Sequence, residues 1–216
     1  MNFIRIAAVV AALFSADAMA LDASSLKLQV YSVMLSTSPL CTSPVTVFSS
    51  ATPTEVDFLA APTLGSGNPP DATYNCVVIK MSDLIKFTPK TSAGLCSATT
   101  EYTADVCRAD NNGRTQAPDA GATFCRGSDP LPGIPAAPVA DPVYLYLTTN
   151  PLAGPGGETF MQPTDAASSN GLHLTAPLII AGAAKSKFVV NARNAVVFDA
   201  NGCGMNPPSF GFQKLP

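Results

Sequence analysis

The sequence predicts an all-β fold: a mainly antiparallel, Greek-key-type β-sandwich that carries a disulfide-rich, Pro-rich loop excursion. Three observations predict it. Apolar residues recur with a period of two in segment after segment, and no stretch has convincing helical periodicity. Pro (20) and Gly (15) are plentiful while Trp is absent, and charged residues are only 12% of the chain, which fits many short strands joined by turns. Six cysteines, Cys41, Cys76, Cys96, Cys107, Cys125 and Cys203, follow an apolar leader, the pattern of an exported disulfide framework.

The leader is residues 1–20. Arg5 precedes an apolar run from Ile6 to Phe14, and Ala18, Met19 and Ala20 form the small-x-small pattern cut by a signal peptidase. Domain organisation is therefore expected to be a signal peptide, 1–20, and a single β-sandwich domain, 21–216, with a Cys- and Pro-rich insertion at 96–142. Arg5 and Asp17 leave together, so the net charge stays at −3. That charge offers no basic field for a phosphate backbone or anionic lipid, so nucleic acid is not an expected partner. No later segment approaches about 18 unbroken apolar residues, so no integral membrane segment is expected after cleavage.

The strands follow in order. Leu26, Leu28 and Val30 alternate with Lys27, Gln29 and Tyr31, and Val33 to Leu35 extend the run. Ser36 to Pro44 form a turn carrying Cys41. Val45 and Val47 make a short strand, and Val56 and Phe58 alternate with Glu55 and Asp57 as another. Thr73 to Pro89, TYNCVVIKMSDLIKFTP, is the organising element. Cys76 to Ile79 is a continuous apolar run suited to a strand covered on both faces, Met81 to Asp83 read as a tight turn, and a second strand ends at Pro89. From Thr91 to Pro142 apolar residues thin out, and Pro130, Pro132, Pro135, Pro138 and Pro142 predict an extended strap. Val143, Leu145 and Leu147 then alternate with Tyr144, Tyr146 and Thr148. Leu172, Leu174 and Leu178 to Ile180 follow, and Phe188 to Phe198 read as one long strand with a bulge at Asn194. Phe210 and Phe212 close the fold, for nine or ten strands in all.

Cysteine spacing lacks zinc-ribbon or redox signatures, so three disulfides are expected. The pairing expected is Cys107 with Cys125 around a polar loop, Cys41 with Cys76, and Cys96 with Cys203.

Several pieces resemble a family of exported bacterial transthyretin-like (prealbumin-like) β-sandwich domains of unknown function. They are the opening LKLQVYSVML, the acidic strand at Val56 to Leu59, the DATY at Asp71 to Tyr74, and ARNAVVFD near the end. The chain departs from that pattern at Ala72 and in the Cys-rich insertion. The resemblance implies a sandwich and supplies no active site.

Candidate chemistry is sparse. His173 is the single histidine, and it points away from Leu172 and Leu174 toward solvent, with no Gly-x-Ser-x-Gly stretch to accompany it. Asp110, Asn112 and Gly113 match the third, fifth and sixth places of a calcium loop and Asp119 the twelfth, although Arg108 holds the first. No cofactor is expected, calcium at this loop being the one candidate. Met34, Met81, Met161 and Met205 are scattered, which favours packing over copper binding. Tyr144 and Tyr146 share a strand face, where they either form a platform for a glycan or protein, or lie beneath the Pro-rich strap. The expected function is a non-catalytic binding or structural module of the bacterial envelope or extracellular space, whether periplasmic, outer-surface or secreted. Its working surface is expected on the Cys96 to Cys125 excursion. The alternatives are a calcium-stabilised adhesive domain and a hydrolase acting on extracellular polymer. An exposed sheet edge near Phe210 and Phe212 would permit subunit pairing, and nothing in the sequence selects the oligomeric state.

Overall fold

The computed structural model describes residues 20–60, 69–105, 107–108, 115–116, 142–154, 159–182, 186–198 and 202–214. In chain order the strands are β1 (Ala20–Leu21), β2 (Ala23–Ser36), β3 (Val45–Ser49), β4 (Glu55–Asp57), β5 (Ala72–Tyr74), β6 (Cys76–Ser82), β7 (Leu84–Pro89), β8 (Tyr102–Asp105) and β9 (Cys107–Arg108). They continue with β10 (Thr115–Gln116), β11 (Pro142–Thr148), β12 (Leu172–His173), β13 (Leu178–Ile180), β14 (Ser186–Asn191), β15 (Val196–Phe198), β16 (Cys203–Met205) and β17 (Ser209–Lys214). The architecture is all-β and mainly antiparallel, in two layers. The described residues hold more strands than the nine or ten expected because some expected strands are split in two and short strands such as β1, β8 and β16 form where none was expected.

The 14-residue β2 is the spine of the larger sheet. Along one edge it pairs with β3 and β4, and along the other with β6 and β7, all antiparallel. Leu26, Leu28 and Val30 face the core at even positions, but Val33 and Leu35 do so at odd ones. A bulge reconciles the two. Val30 lies opposite Met81 and Ser32 opposite Lys80, so Tyr31 is an extra residue and the alternation changes phase there. Two further register shifts, at Ala23/Ser25 and Val33/Met34, help curl this sheet into a half-barrel.

The expected tight turn at Met81 to Asp83 is absent. β6 and β7 run in the same direction along β2, with Met81 opposite Val30 and Lys86 opposite Lys27. A two-residue hairpin turn needs positive φ, which none of these three residues adopts. Instead the Ser82 hydroxyl accepts a bond from the Leu84 amide (3.1 Å), bending the chain without reversing it. Cys76, Val77, Val78 and Ile79 are all buried, as their composition predicts.

β8 and β11 form the next track, β8 beside β7 and β11 beside β6. Part of the expected insertion at 96–142 belongs to the sandwich itself. Cys96 is buried in the main core, Tyr102 stacks on Phe87 (centroids 5.7 Å apart), and β8 belongs to the sheet. β8 ends at Asp105, opposite Leu84, and β11 begins at Pro142, opposite Ser82. β12 then pairs with the end of β11 in parallel.

The second layer comprises the pairs β14 with β17 and β5 with β13, and the trio β1, β15 and β16. The expected long strand from Phe188 to Phe198 is two strands in different sheets, β14 and β15. Between them Asn194 turns the chain with a φ of 55°, a conformation asparagine tolerates better than most residues. Likewise the strand expected through Phe58 ends at Asp57, whose carboxylate accepts the Leu59 amide (2.9 Å) and starts a single 3-10 turn, Phe58–Ala60.

The layers close on one apolar core. Phe58 meets Phe188 edge to face (5.9 Å) and Phe188 stacks on Phe210 (5.7 Å), while Phe87, Ile79, Met81 and Leu147 fill the sheet side. Cys96 bonds Cys203, linking the loop after β7 to β16, and Cys41 bonds Cys76, as the sequence reading pairs them. Loop lengths of 107 and 35 residues imply about 5 and about 4 kcal/mol of chain-entropy stabilisation. Two intramolecular disulfides mark an oxidising, extracytoplasmic environment. Among the described residues no helix is long and apolar enough to cross a membrane.

Candidate functional site

On the outer face of the large sheet, polar and apolar regions separate. Toward the start of β2, Lys27 pairs with Glu101 (2.6 Å) and Lys86 with Glu55 (2.6 Å), and the bond to Glu101 raises the Lys27 pKa. Toward its end, Met34, Val78 and Tyr146 form a row across β2, β6 and β11, because Met34 lies opposite Val78 and Val78 opposite Tyr146. With Cys41 and Cys76 they make a second apolar cluster, separate from the main core.

The loop from Thr37 to Pro44 folds over this row. Its hydroxyl-rich sequence ties it internally: Ser36 Oγ donates to the Thr42 carbonyl (2.6 Å) and accepts the Ser38 amide (3.1 Å), and the Cys41 amide donates to the Ser38 carbonyl (3.0 Å). Other segments then pin it. Asn75 Nδ2 donates to the Thr37 carbonyl (2.7 Å), Thr148 Oγ1 to the Pro39 carbonyl, and Gln162 Nε2 to the Leu40 carbonyl (2.8 Å), while the disulfide fixes Cys41 to β6. So held, Cys41 and Ser43 sit in the left-handed region, at φ 57° and 48°. Such conformations persist in non-glycine residues only where the surroundings over-determine them.

Between loop and sheet lies an open depression of about 290 Å³, floored by Met34 and Val78, walled by Tyr144 and Tyr146, and closed by residues 41–44 and Gln162. Tyr144 is 41% exposed, whereas Tyr146 is half-buried; burial, and then the neighbouring Tyr144, push the Tyr146 phenol pKa up. Lys80, opposite Tyr144 on β6, places its ammonium 5.6 Å from that ring's centre. Among the described residues the lining holds phenols, hydroxyls, an amide and apolar groups, with no carboxylate or imidazole. These groups can stack against and hydrogen-bond a ligand.

No protein-family model, curated protein or solved structure matches the chain. Geometry alone therefore assigns the site.

Of the residues singled out in the sequence, Tyr144 and Tyr146 come together with the Cys41–Cys76 bridge. The sequence reading places a turn at Ser36 to Pro44, but nothing in it brings that turn, Met34 or Gln162 to the tyrosines. Met34 was legible in principle, since it is the outward residue between inward Val33 and Leu35. His173 is exposed, with Nδ1 3.3 Å from the Asn150 carbonyl, and does not reach the depression. The calcium candidates Asp110, Asn112 and Asp119 lie outside the described residues, as do Cys125, the Cys107 side chain and the Pro-rich strap. β9 and β10 pair antiparallel on either side of residues 109–114. Among the described residues no group of three or more His, Cys, Asp or Glu side chains is placed to hold a metal.

Proposed function

We propose that the protein is an exported, non-catalytic binding module of the bacterial envelope or extracellular space, and that its ligand surface is the Tyr144/Tyr146 depression. The carrying observation is the loop: two non-glycine residues held in a strained conformation by a disulfide and by side chains from three other segments, directly beside two outward tyrosines. Such preorganisation lowers the entropy lost when a ligand binds.

The test is retention of purified mature protein on envelope preparations, compared with a Tyr144→Ala/Tyr146→Ala variant of unchanged melting behaviour. The variant is expected to lose retention. Equal retention of both proteins would overturn the assignment. Retention that survives chelation separates this reading from calcium-dependent adhesion through Asp110, Asn112 and Asp119.

A further inference from the structure

The described lysines of the outer sheet face differ in one respect. Lys27 and Lys86 are each engaged by a carboxylate at 2.6 Å. Lys80 makes no ion pair among the described residues; its one recorded contact is the Tyr144 ring. The polar groups around the depression are open in the same way. Gln162 commits Nε2 to the Leu40 carbonyl, and among the described residues neither its Oε1 nor the Tyr144 and Tyr146 hydroxyls have a hydrogen-bond partner. An apolar floor is thus flanked by two phenols and an amide oxygen, and just outside the lining the Lys80 ammonium stands 5.6 Å from the centre of the Tyr144 ring.

Resting on the binding reading above, we propose that this depression takes a sugar ring bearing a carboxylate, a uronate-type unit of an acidic polysaccharide. Stacked aromatic and apolar walls suit the C–H face of a pyranose. The phenols and Gln162 Oε1 suit its hydroxyls, and Lys80 supplies the charge that the acid group needs. An extended peptide fits less well. β6 is already paired on both sides, by β2 and β11, so an added strand would have to lie along the outer edge of β11, in the plane of the sheet and not over the floor of the depression. The volume, about 290 Å³, matches one or two sugar rings rather than a helix-sized groove.

The test uses full-length mature protein, with polygalacturonate and alginate as uronate probes and an uncharged glucan of matched length, in affinity electrophoresis and calorimetry. Uronate binding is expected, weakened about three- to tenfold by Lys80→Gln and by added salt, retained in Lys80→Arg, and lost in the tyrosine double variant. Equal affinity for the uncharged glucan, or a Lys80→Gln variant indistinguishable from wild type, would overturn the proposal. If Tyr-dependent envelope retention persists while all uronate probes fail, this inference falls and the binding reading stands. If retention is Tyr-independent, both fall.

Discussion

Replacing the 36 residues from 106 to 141 by a Gly-Ser-Gly linker should leave the sandwich folded. The reasoning rests on the two sheet positions where the chain departs and returns. Asp105 sits opposite Leu84 and Pro142 opposite Ser82, two residues apart on one continuous partner track. At strand spacing that gap is about 7 Å, which three residues span without strain. Shortening the connection twelvefold recovers about 2 kcal/mol of loop-closure entropy. Cys107 and Cys125 leave together, so no unpaired thiol is created, and the four remaining cysteines keep their bonds. Heat denaturation of the oxidised protein should be cooperative, with a midpoint equal to or up to about 8 °C above wild type. Its denatured mass should be four hydrogens lighter than its sequence. A protein that fails to fold in an oxidising compartment, or melts more than about 8 °C lower, would show that the excursion is built into the core and would refute the argument.

Three further outcomes are expected. Removing the Cys41–Cys76 bond by a double alanine substitution should destabilise the protein by about 2 to 4 kcal/mol in denaturant titrations, and should accelerate amide exchange in residues 37–44 before the rest of the sheet. Gly94→Ala should be destabilising by more than 1 kcal/mol or so, because Gly94 has a φ of +54° and an added Cβ would meet Phe198 Cδ2; an unchanged melting curve would contradict the packing there. An alkaline absorbance titration should reveal one phenol ionising later than a free tyrosine, absent in Tyr146→Phe. Since its folded pKa is raised above the unfolded value of 10.0, its stabilising contribution is complete below that pH and is lost as pH rises through the folded value.

Burial was more legible in the sequence than connectivity. The run Cys76 to Ile79, the inward set Val143, Leu145 and Leu147, and the alternation at Leu26, Leu28 and Val30 all report how much of each strand is covered, because side-chain polarity records solvent directly. Polarity does not record direction. Met81 to Asp83 carry the polar break of a turn, yet whether the chain reverses depends on the sign of φ, and the same letters serve a bend. At Asn194 the opposite error arises: even spacing from Phe188 to Phe198 suggests one strand, while a left-handed asparagine hands the two halves to different sheets. β8 was missed because Tyr102 and Ala104 are too few to stand out in a polar stretch; their strand character comes from pairing with β7. The site was half legible for a related reason. Tyr144 and Tyr146 announce an outward aromatic face, but Gln162 reaches it from a loop with no periodicity.

The surplus residue at Tyr31 separates what the depression is made of from how it is shaped. Omitting Tyr31 would restore unbroken alternation along β2, and Val33 and Leu35 would still face inward and Met34 outward. No lining group would be lost. The sheet would nevertheless bend less, and on a convex surface bending is what spreads neighbouring strands' side chains apart. The site's contour is thus encoded at a position that never touches its contents, so a search confined to lining residues would overlook a control on its fit.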